Sequence, residues 1–166
     1  TPEVPVPNPT GGRVIVGYVT YWESRLPDPT LLTHINYAFA LIKNDFETID
    51  IKTPSRLQQV VALKKQNPDL KVVLSVGGWG AGNFSEMAAD ANHRRKFAEN
   101  CLAAVNKYGL DGIDIDWEYP TSSSAGISSS PLDINNFTLL MKDLREVLGQ
   151  NKLLTIATYA GVKYYD

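Results

Sequence analysis

Residues 111–120 read Asp111-Gly112-Ile113-Asp114-Ile115-Asp116-Trp117-Glu118-Tyr119-Pro120, a pattern that few backbone conformations accommodate. In an extended strand successive side chains point to opposite faces, so Asp114, Asp116 and Glu118 line one face while Ile113, Ile115 and Trp117 line the other. At about 3.3 Å of rise per residue, neighbours in the acid row lie roughly 6–7 Å apart, close enough for each charge to raise the cost of ionising the next. Selection for stability alone disfavours such a row, whereas clustered, perturbed carboxyls are typical of working sites.

Two plainer readings compete with acid–base chemistry. A solvated acidic edge strand would carry the charges, but the isoleucines and the tryptophan on the other face call for cover. A calcium loop of the EF-hand kind needs a glycine at its tight turn and oxygen ligands in a flexible loop, and here bulky apolar residues fill the alternate positions. Acid–base chemistry is the reading that uses both faces.

The rest of the chain supplies a sheet for this strand. Residues 13–20 and 34–42 are β-branched and aromatic runs of the kind buried in parallel sheets, and 71–76 and 152–158 add two more. Thr53 before Pro54 reads as an N-cap, opening a helix that ends at Asn67-Pro68. A second helix is expected over 91–108, with Phe97, Cys101, Val105 and Tyr108 on one stripe and Gly109 at the stop position. After a serine-rich surface loop over 121–131, Asp133 reads as the cap of a third helix, whose stripe of Phe137, Leu140, Met141, Leu144 and Val147 or Leu148 runs to Gly149.

Strands alternating with helices in this way predict right-handed βαβ units, an α/β class and a β/α barrel. Barrel active sites lie at the C-terminal ends of the strands, where Gly77, Gly78, Trp79, Glu118 and Tyr119 fall. A complete (β/α)8 TIM barrel has eight strands and about 250 residues. Residues 13–166 yield five strands, so an incomplete barrel, the N-terminal part of a larger one, is expected. Its open sheet edges make self-association an expectation as well. Residues 1–12, with Pro2, Pro5, Pro7, Pro9 and Gly11-Gly12, read as a linker or tail.

A net charge of −2 and the lack of a lysine or arginine stripe argue against a nucleic-acid partner. No apolar run approaches the roughly 20 residues of a membrane span, and the start shows no signal-peptide pattern. A first residue of Thr1 fits a processed or trimmed product. Cys101, the sole cysteine, reads as a small buried apolar group. The tripeptides Asn83-Phe84-Ser85 and Asn136-Phe137-Thr138 match the glycosylation pattern, which is common by chance.

The acid row resembles the signature of the family 18 glycoside hydrolases, the chitinase family: Asp-x-x-Asp-x-Asp-x-Glu at the end of the fourth barrel strand, filled here by Asp111, Asp114, Asp116 and Glu118. A second family element, Ser-x-Gly-Gly on the third strand, is matched by Ser75-Val76-Gly77-Gly78, followed by Trp79. The family's later elements, a Met-x-Tyr-Asp type motif on the sixth strand and a tryptophan on the eighth, find no place, and Tyr164-Tyr165-Asp166 follows the fifth strand too closely to be equated with the former.

The resemblance implies hydrolysis of β-1,4-linked N-acetylglucosamine chains such as chitin, without metal or organic cofactor. Strand geometry would place Asp116 and Glu118 near the inverting separation, but the resemblance implies retention, with the substrate's own acetamido group attacking the anomeric carbon. It assigns Glu118 as acid and then base, Asp116 as the group that orients the acetamido N–H, and Asp114 as the partner sharing a proton with Asp116. Repulsion from Asp116 is expected to keep Glu118 protonated near neutral pH. Asp111, of opposite parity, is expected to be structural, and Ser75 to support the acid row.

Trp79 and Tyr119 are candidate sugar platforms; Tyr18 and Phe39 match inward positions lining the family's site and equally fit barrel core. Gly77 and Gly78 allow close backbone approach at the site. An endo-β-N-acetylglucosaminidase acting on N-glycans and a non-catalytic sugar-binding barrel are the alternatives, the latter usually lacking the glutamate of the signature. A chain of this length is expected to show negligible hydrolysis by itself. The parent protein is expected to be secreted or held at the cell surface.

Overall fold

The computed structural model describes residues 12–161. The linker or tail expected over 1–12 lies, apart from Gly12, outside the described residues, as does Tyr164-Tyr165-Asp166. Six strands form one sheet: β1 (Val16–Thr20), β2 (His34–Ile42), β3 (Ile49–Ile51), β4 (Lys71–Gly77), β5 (Gly112–Asp116) and β6 (Leu153–Ile156). Five of them run parallel in the order β1-β2-β4-β5-β6, and β3 folds back antiparallel on β2. Among the described residues four α-helices accompany them: α1 (Pro54–Ala62), α2 (Phe84–Ala89), α3 (Ala91–Tyr108) and α4 (Asp133–Leu148). The architecture is α/β, an incomplete (β/α)8 barrel with five parallel strands.

Alternation along each strand sorts the residues into two faces. Outward-pointing Ile35, Tyr37, Val72, Leu74, Val76, Ile113 and Ile115 meet Leu57 and Val60 of α1, Phe97, Cys101 and Val105 of α3, and Leu140 and Leu144 of α4 in one core. Each such side chain taken fully out of water contributes about 1.5–3 kcal/mol. Cys101 is fully buried, as its helical stripe predicts, and burial pushes its thiol pKa up. Helix α3 begins at Asp90, whose carboxylate accepts from the Asn92 and His93 amides at 2.7 and 3.0 Å. It ends at Gly109 in the left-handed region (φ 67°), with Leu110 N–H returning to the Val105 carbonyl.

Of two expected caps, Thr53 holds the N-cap position of α1 without using its side chain, and Asp133 proves to be something else. Thr53 has φ 47° and makes no side-chain cap; its carbonyl accepts from the Tyr37 hydroxyl at 3.0 Å and the Arg56 amide at 2.9 Å, so backbone rather than side chain holds the turn. Asp133 is the first residue of α4 instead of its cap. Fully buried, it accepts from Ser85 Oγ at 2.7 Å, Ser130 N at 2.8 Å and Thr121 N at 3.1 Å, stapling both ends of the 121–130 loop to α2. Asn83, in one glycosylation tripeptide, has its side-chain amide engaged with the Ile42 carbonyl at 2.9 Å.

The inward face carries a layer set by strand register. Ala38, Ser75, Asp114 and Thr155 lie side by side across β2, β4, β5 and β6. Among the described residues, β1 and β6 each have one parallel neighbour, and the inner face near them is open, with Val14 71% and Tyr18 47% exposed. No described helix is long and apolar enough to cross a membrane.

Candidate active site

Strand β5 delivers the acid row. Asp114 and Asp116 lie on its inward side, 1% and 6% exposed, while Trp117 on the other side is buried between Phe84, stacked at 5.4 Å, and the edge of Phe137 at 5.7 Å. The extended conformation stops at Asp116, and Glu118 stands in the following turn, half-buried, so the row continues beyond the strand that begins it.

The two aspartates differ in what surrounds them. Asp114 accepts from the Tyr18 hydroxyl (2.9 Å) and Ser75 Oγ (2.8 Å) on one carboxylate oxygen, and from Thr155 Oγ1 (2.6 Å) on the other. Asp116 is pushed up to about 7, first by burial, then by the charges of Glu118 and Asp114, and by a hydrogen bond it shares with Glu118. A carboxyl with this value carries a proton through mildly acidic pH. The Tyr18 phenol is also raised, by burial and by the charge of Asp114.

A cavity of about 330 Å³ opens beside Asp116, lined by Tyr18, Phe39, Asp116, Glu118, Tyr119 and Thr158 among others. Four residues expected here, Tyr18, Phe39, Glu118 and Tyr119, thus share one wall with Asp116. Trp79 stands at the rim, 63% exposed, its ring 6.3 Å from that of Tyr119, which in turn meets Tyr159 at 5.8 Å. Gly77 and Gly78 stand where neighbouring strands come close. A Cβ on Gly77 (φ 122°) would fall 2.1 Å from the Asp116 carbonyl, and one on Gly78 (φ 98°) 3.0 Å from the Phe39 ring. The close approach they permit brings the end of β4 against the Asp116 carbonyl of β5 and the Phe39 ring of β2, and Gly78 N–H also donates to the Asp116 carbonyl at 2.9 Å. Ser75 supports the row, as the sequence predicts, and Asp111 is structural, accepting from the Val72 amide at 2.7 Å and pairing with Lys64 at 2.5 Å.

Sequence reasoning missed Thr155, Trp22 and Tyr159. Trp22, two residues past β1, is 64% exposed with its ring 6.4 Å from Phe39, a position comparable to that of Trp79 past β4. That parallel is a usable signal: an aromatic just beyond the C-terminal end of a barrel strand. Thr155 offers none, because its partnership with Asp114 exists only through the pairing of β5 with β6.

A parallel β/α sheet with carboxyls gathered at the C-terminal end of its fourth parallel strand is the arrangement of a barrel glycosidase. The chain belongs to the glycosyl hydrolases family 18, matched over residues 14–166. Probable chitinase 2 of Drosophila melanogaster is 35% identical over 95% of this chain and 37% of its own length, and chitinase A1 of Niallia circulans 33% identical over 90% and 30%. Among solved structures, the chitinase domain of the spore coat protein CotE from Clostridium difficile superposes with a TM-score of 0.85 at 42% identity, over 95% of this chain and 46% of that one. A family 18 N-acetylglucosaminidase from Paenibacillus barengoltzii gives 0.83 at 43% identity, over 91% and 47%. The chain spans less than half the length of each of these relatives.

Proposed function

We propose that the protein carrying this chain hydrolyses β-1,4-linked N-acetylglucosamine polymers, chitin or chitooligosaccharides, with retention of configuration and with the substrate's acetamido group as nucleophile. The observation that carries the reading is the pairing of Asp116 with Glu118 on the wall of an aromatic-lined cavity: one carboxyl pushed up to about 7 and hydrogen-bonded to its half-buried neighbour. In this reading Glu118 gives its proton to the leaving glycosidic oxygen and then activates water. Asp116 holds the acetamido N–H, so that the carbonyl oxygen closes on the anomeric carbon, and it stabilises the resulting oxazolinium. Asp114 shares the proton economy of the row through Asp116. Tyr119, Trp79 and Trp22 offer flat faces to the C–H faces of sugar rings. No cofactor is needed for any of these steps.

Relatives named as chitinases and one named as an N-acetylglucosaminidase support the sugar. A polymeric substrate of this kind is met outside the cell, which supports a secreted or cell-surface location. For the 166-residue chain taken alone, the exposed inner face favours sugar binding without turnover, since one side of the cleft is open. The test is Glu118→Gln in a protein that carries the whole barrel. Release of product from chitooligosaccharides should fall by about 10²–10⁴-fold, the usual share of general acid–base catalysis, with oligosaccharide binding retained. An unchanged rate excludes the role of Glu118. Faster cleavage of N-glycans than of chitooligosaccharides by the unaltered protein would replace the substrate with that of an endo-β-N-acetylglucosaminidase.

A further inference from the structure

Both carboxylate oxygens of Asp114 are occupied by hydroxyls, but unequally. Tyr18 and Ser75 share Oδ2 at 2.9 and 2.8 Å, whereas Thr155 reaches Oδ1 at 2.6 Å. That last distance lies in the range of about 2.5–2.7 Å typical of a hydroxyl bonded to a charged oxygen. Thr155 is brought there by the β5–β6 register, which sets it directly opposite Asp114. It is exposed on the open inner face, and its hydroxyl donates across the strand boundary to a carboxylate that is itself only 1% exposed.

We propose that Thr155 is a positioning residue of the acid row: by donating to Oδ1 it fixes the plane of the Asp114 carboxyl and holds it against Asp116 on the inward side of β5. Two neighbouring inward carboxyls resist ionising together, so the placing of one acts on the other. Asp114 receives three hydroxyls. The titratable groups facing it among the described residues are Tyr18 from β1 and Asp116 from its own strand, with Glu118 beyond, and His34 of β2 lines the same cavity as Asp114; β4 and β6 contribute the hydroxyls of Ser75 and Thr155. The fixed plane of Asp114 follows from this geometry, and its consequence for turnover rests on the glycosidase reading above.

The experiment follows the carboxyl carbons of Asp114 and Asp116 by ¹³C NMR through a pH titration of the 166-residue chain, comparing the unaltered protein with Thr155→Val and Thr155→Ser. Valine keeps the shape and removes the donor; serine keeps the donor. Because Thr155 is exposed, neither change opens the core. In Thr155→Val the Asp116 midpoint should fall by about half a unit or more as the Asp114 carboxyl turns out of its fixed plane, and Thr155→Ser should restore it. A midpoint that is unmoved or raised in Thr155→Val overturns the proposal, and so does a serine variant displaced as far as the valine one. These outcomes are independent of the Glu118→Gln assay: full turnover there would remove the glycosidase reading and leave the titration standing, while an unmoved midpoint would remove the role of Thr155 and leave that of Glu118.

Discussion

The two faces of β5 are both withdrawn from water, with opposite consequences. On the outer face Ile113 and Ile115 are fully buried and Trp117 is 1% exposed, packed among side chains that gain from excluding solvent. On the inner face Asp114 and Asp116 are 1% and 6% exposed, and burying a carboxylate costs free energy unless donors replace the lost water. Asp114 has three such donors, and Asp116 is pushed up to about 7. One five-residue strand thus carries a stabilising face and a face held at a cost in stability, and the cost is concentrated at the C-terminal end, where the cavity opens. The difference teaches that the acid row is maintained by the packing behind it, with Trp117 as the largest member of that packing.

The sharpest way to break this contrast is Trp117→Ala. Removing a ring stacked on Phe84 and edged by Phe137 should cost about 3–5 kcal/mol, read from denaturant unfolding of the 166-residue chain. A loss under about 1 kcal/mol would show that the outer face is not what holds the strand. The inner face predicts a pH dependence of the reverse kind. The folded value of Asp116 is raised above its unfolded one, so between about pH 4 and about pH 7 the folded chain holds a proton that the unfolded chain has lost, and stability falls as pH rises through that window. Asp116→Asn should remove this share of the slope and stabilise the chain at pH 8 by on the order of 2 kcal/mol, after discounting for solvent reaching the cavity. An equally steep decline in Asp116→Asn would place the cost elsewhere.

Much of this contrast was legible in the sequence because it rests on local alternation. The period-2 pattern over 113–117 separated the faces of β5 before any coordinates, and helical spacing with Gly109 as the stop gave the bounds of α3. Features that depend on partners distant in sequence were not legible. Asp133 looks like a cap because it precedes an apolar helix, but the amides of Thr121 and Ser130 and the hydroxyl of Ser85 converge on it only once the loop has folded back. The short strand β3 and the six-residue α2 carry too few residues to show a period. Glu118 continues the alternation in sequence yet leaves the strand, since nothing local marks the end of pairing at Asp116. Gly77 and Gly78 were rightly marked as places of close approach; that the approach is to the Asp116 carbonyl and the Phe39 ring required the sheet.

The smallest expected effects sharpen the comparison along the strand instead of across it. Asp111 is the fourth acid of the signature, but it sits at the N-terminal end of β5, where barrel residues serve stability. Its carboxylate accepts from the Val72 amide at 2.7 Å, tying the start of β5 to β4, and pairs with Lys64, whose side chain is 26% exposed. Asp111→Ala leaves that amide without its acceptor and should cost about 1–2 kcal/mol, because an unsatisfied buried donor is more expensive than a lost surface contact. Lys64→Met removes the ion pair while keeping both the apolar stem and the Val72 bond, and should cost under about 1 kcal/mol, as partly solvated pairs do. Neither change should move the midpoint of Asp116, for the causes of its elevation are burial, Glu118 and Asp114. If Lys64→Met costs as much as Asp111→Ala, the charge pair rather than the backbone bond anchors the strand. If either variant shifts Asp116, the two ends of β5 are electrostatically joined, and the division between a structural end and a chemical end of the acid row fails.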